Sequence, residues 1–196
     1  MPPLEAGFAR VPERIWSPVA TGLIALVPGL VGLATGSLLL FPSLGPTALI
    51  QAHTPEHPSA RFYNIVVSHL GALGCASFSV ALFGLSQTPS VFEMHHLCPA
   101  RVGAAVLALV LGTWLEILLR ASHPPAASAA LLVALGSFRP TLHDTSRIVI
   151  GVLIVASFGE GFRRLCVRRR ARVRCEPAAA RDQKTATEKH GPGGPS

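Results

Sequence analysis

Ser122-His123-Pro124-Pro125-Ala126-Ala127-Ser128 places an imidazole and two hydroxyls where the chain cannot stay helical. Two consecutive prolines remove two N–H donors and clash with the preceding turn. Each also pushes the residue before it out of the α region. A helix arriving through 102–119 must therefore stop near 120–123, and a new one can start at the prolines, which suit a first helical turn. Phe41-Pro42-Ser43-Leu44-Gly45-Pro46-Thr47-Ala48 stops and restarts the chain in the same way earlier on. A restarting helix exposes its first free N–H groups and the positive end of its dipole. Those donors would come from Thr47 and Ala48 in one stretch and from Ala126 and Ala127 in the other, because proline supplies none. Ser43, Ser122 and His123 add side-chain donors at the same mouths. Gly45 opens the first restart, and Ser128 stands in the second where Thr47 stands in the first. Two such N-termini facing one cavity would hold a small oxyanion without a buried carboxylate.

Other polar residues sit in apolar surroundings. Asn64 and Ser68 are four apart and share a helix face, with His69 beside it. In lipid they would be costly, so they should face protein or water. Asn64 and His69 read either as lining of the same cavity or as interhelical hydrogen-bond partners. His123 reads either as a substrate donor and pH switch or as a cap on carbonyls freed by the break. Glu116 with Arg120, and Glu160 with Arg164, have the i, i+4 order of structural ion pairs.

His53, His57, His95 and His96 raise the question of a metal. Pro55 interrupts the first pair, and the two links fall on opposite sides of a membrane if 62–85 spans it. No metal or cofactor is expected. The chain has no Walker loop, GxSxG or HExxH, and adjacent Ser and His residues rarely align a nucleophile with its base. Catalysis is not expected either.

The elements that must position these residues are membrane helices. The chain is 49% hydrophobic and 14% charged, with mean hydropathy +0.47, against roughly 25% charge in soluble domains. Apolar runs at 18–40, 62–85, 100–119 and 148–162 are separated by polar links. The first is about 23 residues, enough for a bilayer core, with Trp16 placed as an interfacial anchor and Pro28 as a kink. The last is marginal in length, and 126–137 is too short to span alone. The fold expected is an all-α membrane protein of four transmembrane helices plus two short Pro-broken helices, half-length or re-entrant. Residues 1–16 form a polar tail unlike a signal peptide, 17–164 the membrane domain, and 165–196 a basic tail, disordered beyond Glu176. The four cysteines lack metal spacing and read as small fillers or tail residues.

Ten of the 17 Lys and Arg lie from Arg163 onward. Directly after an apolar helix they signal a cytoplasmic C-terminus rather than a nucleic-acid site, and Arg10 and Arg14 place the N-terminus on the same side. Both ends inside requires an even number of crossings. The expected setting is a bacterial inner membrane, with lipid and a small anion as partners. So small a body is compatible with a homodimer.

The order of events also recurs. Long helix, Pro-rich break, short helix, polar link and second helix occur in 17–98 and again in 99–164, with Pro42 and Pro124 in matching places 82 residues apart. Paired, Pro-interrupted segments in two halves are a pointer to a transporter's binding site.

Three motifs in order carry a resemblance. The His-Pro-Pro stretch at 122–128 resembles the namesake motif of the HPP family of integral membrane proteins. Pro42-Ser43-Leu44-Gly45-Pro46-Thr47-Ala48 is similar to that family's Pro-x-x-Gly-x-(Ser/Thr)-Ala segment. Asn64 followed by His69 resembles its Asn-Val-x-x-x-His signature. Pro46, where the family often has alanine, and Phe62-Tyr63, which spread apart an Arg-Asn pair, are departures. The resemblance implies a transporter, with nitrite as first guess because plant and cyanobacterial relatives are associated with nitrite transport. The alternative is a non-transporting membrane protein, a sensor or assembly subunit, whose breaks serve packing only.

Overall fold

The computed structural model describes residues 13–189, with side chains from 14 to 168; the extreme termini lie outside the described residues. Seven α-helices and no strand are present among them. They are α1 Glu13–Thr35, α2 Leu44–His53, α3 Phe62–Leu82, α4 Val91–Met94, α5 Pro99–Leu118, α6 Pro125–Ala134 and α7 Leu142–Lys189, with a 3₁₀ turn at Pro58–Ala60. Three are long and apolar enough to cross a membrane: Arg14–Thr35, Phe62–Leu82 and Pro99–Leu118. The two breaks behave alike, each followed by a 10-residue helix. At 1.5 Å per residue such a helix is about 15 Å long, half a bilayer core.

The first break opens earlier than the hydropathy suggests. The apolar run continues to Leu40, but α1 stops at Thr35 because Gly36 turns left-handed at φ +61°. Ser37 N–H then closes back onto the Gly32 carbonyl (2.9 Å), the two-sided cap that ends many helices. Residues 37–42 form a non-helical connector, and α2 starts at Leu44, not Pro46. Pro46 is tolerated there because N–H groups of the first turn need no intrahelical partner. The second restart falls where the prolines dictate, at Pro125.

The helix before the second break uses the same cap with a different residue. Ala121 N–H reaches the Glu116 carbonyl (2.9 Å), and the left-handed position is taken by Arg120 at φ +50°. This explains why Glu116 and Arg120 form no ion pair: Arg120 lies beyond the helix end, off the α5 face. A left-handed non-glycine costs about 1 kcal/mol. Arg120→Gly is therefore expected to raise the melting temperature in detergent, by the equivalent of about 1 kcal/mol. A lower melting point would mean that the exposed guanidinium has a role the backbone does not explain.

Packing centres on α3, which lies against α5, α6 and α7, while α1 lies against α2 and α7. The contacts are made by small residues: Ala72 and Ala76 on α3, Ala104 and Ala108 on α5, Ala126 and Ala130 on α6 are all buried. Close approach of small-residue faces is how helices associate in lipid, where burying apolar surface supplies no drive. Large apolar side chains face outward instead. Val102, Val106, Val110, Trp114 and Ile117 of α5 are exposed, whereas Ser43, Thr47, Gln51, His69 and His123 are fully buried. That inversion of the soluble pattern is what lipid surroundings produce.

Trp16 does not stand outward as an anchor. It stacks on Phe162 at 6.3 Å, and its indole N–H donates to Cys166 Sγ at 2.9 Å. The last helix is longer than 148–162, starting at Leu142 and keeping helical backbone through the basic stretch to Lys189. The backbone is thus helical past Glu176, where disorder was expected; side chains from 169 onward lie outside the described residues. Glu160 pairs with Arg164 as the spacing suggests (2.8 Å) and more closely with Arg163 (2.6 and 2.7 Å).

Candidate functional site

Four side chains from both halves of the chain meet at the centre. Ser43, the N-cap of α2, has its hydroxyl 3.3 Å from His69 Nε2 on α3. Thr47, one turn into α2, has its hydroxyl 3.0 Å from His123 Nε2, just ahead of α6. The two imidazoles lie 5.2 Å apart between ring centres. All four residues are fully buried. The first turn of α2 and the N-terminal entry of α6 thus face the same histidine pair.

The proton positions on the imidazoles follow from their partners. His69 Nδ1 lies 2.8 Å from the Ile65 carbonyl and His123 Nδ1 lies 2.7 Å from the Ser59 carbonyl. A carbonyl only accepts, so in both rings Nδ1 carries hydrogen and donates. In the neutral rings Nε2 then accepts from Ser43 and from Thr47.

The carbonyls freed by the second break are held by α3 and not by His123. Asn64 Nδ2 donates to the Ser122 carbonyl (3.5 Å) and to the Pro58 carbonyl (3.0 Å). The Ser68 hydroxyl donates to the Ala121 carbonyl, and the Tyr63 hydroxyl to the Leu119 carbonyl at 3.4 Å. The shared face of Asn64 and Ser68 is therefore the clamp on the break.

Not all the residues singled out by sequence join the site. Gly45 and Ser122 are exposed, Ser128 is half-buried, and Ala48 is a core contact. The backbone donors expected for an anion are engaged: Thr47 N–H on the Ser43 carbonyl (3.4 Å), Ala126 N–H on that of His123 (2.9 Å) and Ala127 N–H on that of Pro124 (3.1 Å). Ala127 instead lines a cavity of about 20 Å³ with Ala72, Ala108 and Glu116, room for about one water. Glu116, near the end of α5, lines the same cavity and so stands beside the start of α6, at the rim of the site.

Three further buried groups carry weaker sequence signals. Ser59 supplies the carbonyl for His123, and nothing in its neighbourhood announces that role. Gln51 continues a stripe with Ser43 and Thr47, spaced four apart on α2. Its Nε2 reaches the Ala156 carbonyl at 3.4 Å, while its buried Oε1 has no hydrogen-bond partner among the described residues. That i, i+4, i+8 polar pattern in an apolar helix was readable. Arg101 near the start of α5 is a buried cation with no acid at i±3 or i±4, a pattern that calls for carbonyl partners elsewhere. Among the described residues no group of three or more His, Cys, Asp or Glu lies close enough to hold a metal.

A family model described as HPP, transmembrane region, matches residues 8–171. This bears out the resemblance carried by the three motifs, all of which fall within the match. No curated protein and no solved structure matches the chain.

Proposed function

We propose that this chain, a multi-pass membrane protein that belongs to the HPP transmembrane family, moves a small anion across the bilayer as a transporter or channel. A nitrite-like oxyanion is the first candidate. In this reading α1, α3, α5 and the apolar part of α7 cross, while α2 and α6 enter from the two halves without crossing. Both termini are then cytoplasmic, in a bacterial inner membrane, and a homodimer suits the small body. No catalytic step is part of the role.

The observation that carries the proposal is the meeting of α2 and α6 at the His69–His123 pair. Each helix brings the positive end of its dipole, and two like ends held together in a low-dielectric interior repel. An anion between them relieves that repulsion at both ends at once, by about 0.3–1 kcal/mol per end in exposed settings and more when buried. The four central side chains are neutral donors and acceptors, which suits a ligand that must also leave. A small anion would take its bonds from Ser43, Thr47 and His123 when these give up their present partners.

A packing-only role, as a sensor or assembly subunit, is favoured by one fact: the N–H groups of Thr47, Ala126 and Ala127 are already bonded. Flux decides between them. The purified protein in proteoliposomes is expected to take up nitrite, and Ser43→Ala and His123→Ala are each expected to reduce uptake at least about tenfold, the effect of about 1.4 kcal/mol. Undiminished uptake in both variants would remove the site. Silence across small anions with wild-type protein, together with a copurifying partner, would establish the packing-only role.

A further inference from the structure

We propose that His123, and not His69, binds a proton in step with the anion, and that the Thr47 hydroxyl makes this possible by exchanging its single hydrogen between two acceptors. The co-transport aspect rests on the transport reading above; the proton site itself does not.

Thr47 Oγ1 lies 3.0 Å from His123 Nε2 and 2.9 Å from the Ser43 carbonyl. A hydroxyl has one hydrogen to donate, so it serves one of these at a time. With His123 neutral, the hydrogen points to Nε2 and Nδ1–H donates to the Ser59 carbonyl at 2.7 Å. When a proton from water adds to Nε2, the new N–H donates to Thr47 Oγ1. The Thr47 hydrogen then turns to the Ser43 carbonyl. Both states satisfy every polar group without moving a heavy atom.

His69 lacks this property. Its Nε2 faces only the Ser43 hydroxyl at 3.3 Å, and that hydroxyl has no second acceptor among the described residues. Protonation there would leave a buried O–H without a partner, which costs about 1–3 kcal/mol. The second imidazole therefore stays neutral, 5.2 Å away, where a second cation would also repel the first. The titratable groups nearest His123 are His69 from α3, with ring centres 5.2 Å apart, and Glu116 near the end of α5, in the cavity beside Ala127. His57, on the Ser59 hydroxyl at 2.8 Å, stands one residue removed. The first turns of α2 and α6, Leu44–Thr47 and Pro125–Ser128, carry no ionisable side chain.

An imidazolium facing two positive helix ends is unfavourable alone, and an anion there lacks a full positive charge. Together they neutralise each other. The linkage is reciprocal: the anion tightens proton binding by the factor by which the proton tightens anion binding. Acid should therefore favour anion binding.

The test uses the full chain in lipid nanodiscs with ¹⁵N-labelled histidine. His123 is expected to pass from the Nδ1–H form to imidazolium as pH falls, while His69 keeps its Nδ1–H form. Nitrite should move the His123 midpoint to higher pH. Thr47→Val, which keeps the branched shape, should weaken proton binding at His123 about tenfold, or about one pH unit, and Thr47→Ser should restore it. Protonation of His69 before His123, or no effect of Thr47→Val, would overturn the proposal. Anion flux indifferent to a proton gradient would overturn the coupling and leave the transport reading intact. The expected titration without any flux would support the proton site and defeat the transport reading.

Discussion

Arg101→Leu is expected to destabilise the protein by about 3 kcal/mol or more, the loss expected when hydrogen bonds to a buried charged donor disappear. The guanidinium is almost fully buried and donates to four oxygens: Ala134 O at 2.9 Å, Thr88 O at 3.0 Å, Thr88 Oγ1 at 2.6 Å and Pro89 O at 3.1 Å. No carboxylate is among them. Its counter-charge is the negative end of α6, whose last turn includes Ala134. The neighbouring Leu135 carbonyl is taken by Val91 N–H at 3.0 Å, so one cluster ties the start of α5, the end of α6 and the 88–91 link together. Gly136 makes room for it: at φ +86°, a Cβ there would sit 2.9 Å from Arg101 Nη2. Leucine would leave these four acceptors without their donor. Lysine should recover only part, since an ammonium cannot match the planar fork. Thermal unfolding in detergent, followed by tryptophan fluorescence, should show a drop of several degrees for Leu and less for Lys. A leucine variant that melts like wild type would mean the cluster is redundant.

Gly151→Ala should also be damaging and should reach the site. An added Cβ would lie 2.6 Å from the Leu39 carbonyl oxygen and 2.9 Å from Phe41 Cε1. A backbone carbonyl cannot swing aside as a side-chain tip can. Either α7 or the 37–42 connector must shift, at about 1–3 kcal/mol. That connector leads directly into Ser43, so the Ser43–His69 bond should loosen and anion uptake fall with stability. Gly161→Ala is the control on the same helix. Its Cβ would meet nothing within 4 Å, so the variant should equal wild type or gain up to about 1 kcal/mol from helix propensity. Equal melting points for the two alanines would show that α7 does not press on the connector.

Much of the fold was legible because its constraints are local. Pro124 and Pro125 forbid a continuous helix whatever surrounds them, and α6 starts at Pro125 for that reason. Asn64 and Ser68 share a face by helical period alone, although only the structure shows that they clamp the break. The end of α1 at Thr35 was hidden, because Gly36 lies inside an apolar run that hydropathy cannot divide.

The site divides along the same line. By itself the sequence determined where the chain must break, which polar residues stand at each break, and that lipid surrounds the whole, since proline geometry, side-chain chemistry and hydropathy are properties of short stretches. Only the tertiary structure decided the partners. Ser43 and His69 meet across 26 residues, His123 and Ser59 across 64, and Thr47 and His123 across 76. Each residue type offers several bonds, and which one forms is fixed by how α2, α3 and α6 pack. Packing likewise turned the Ala126 and Ala127 N–H groups into helix bonds and gave the centre of the site to two imidazoles and two hydroxyls.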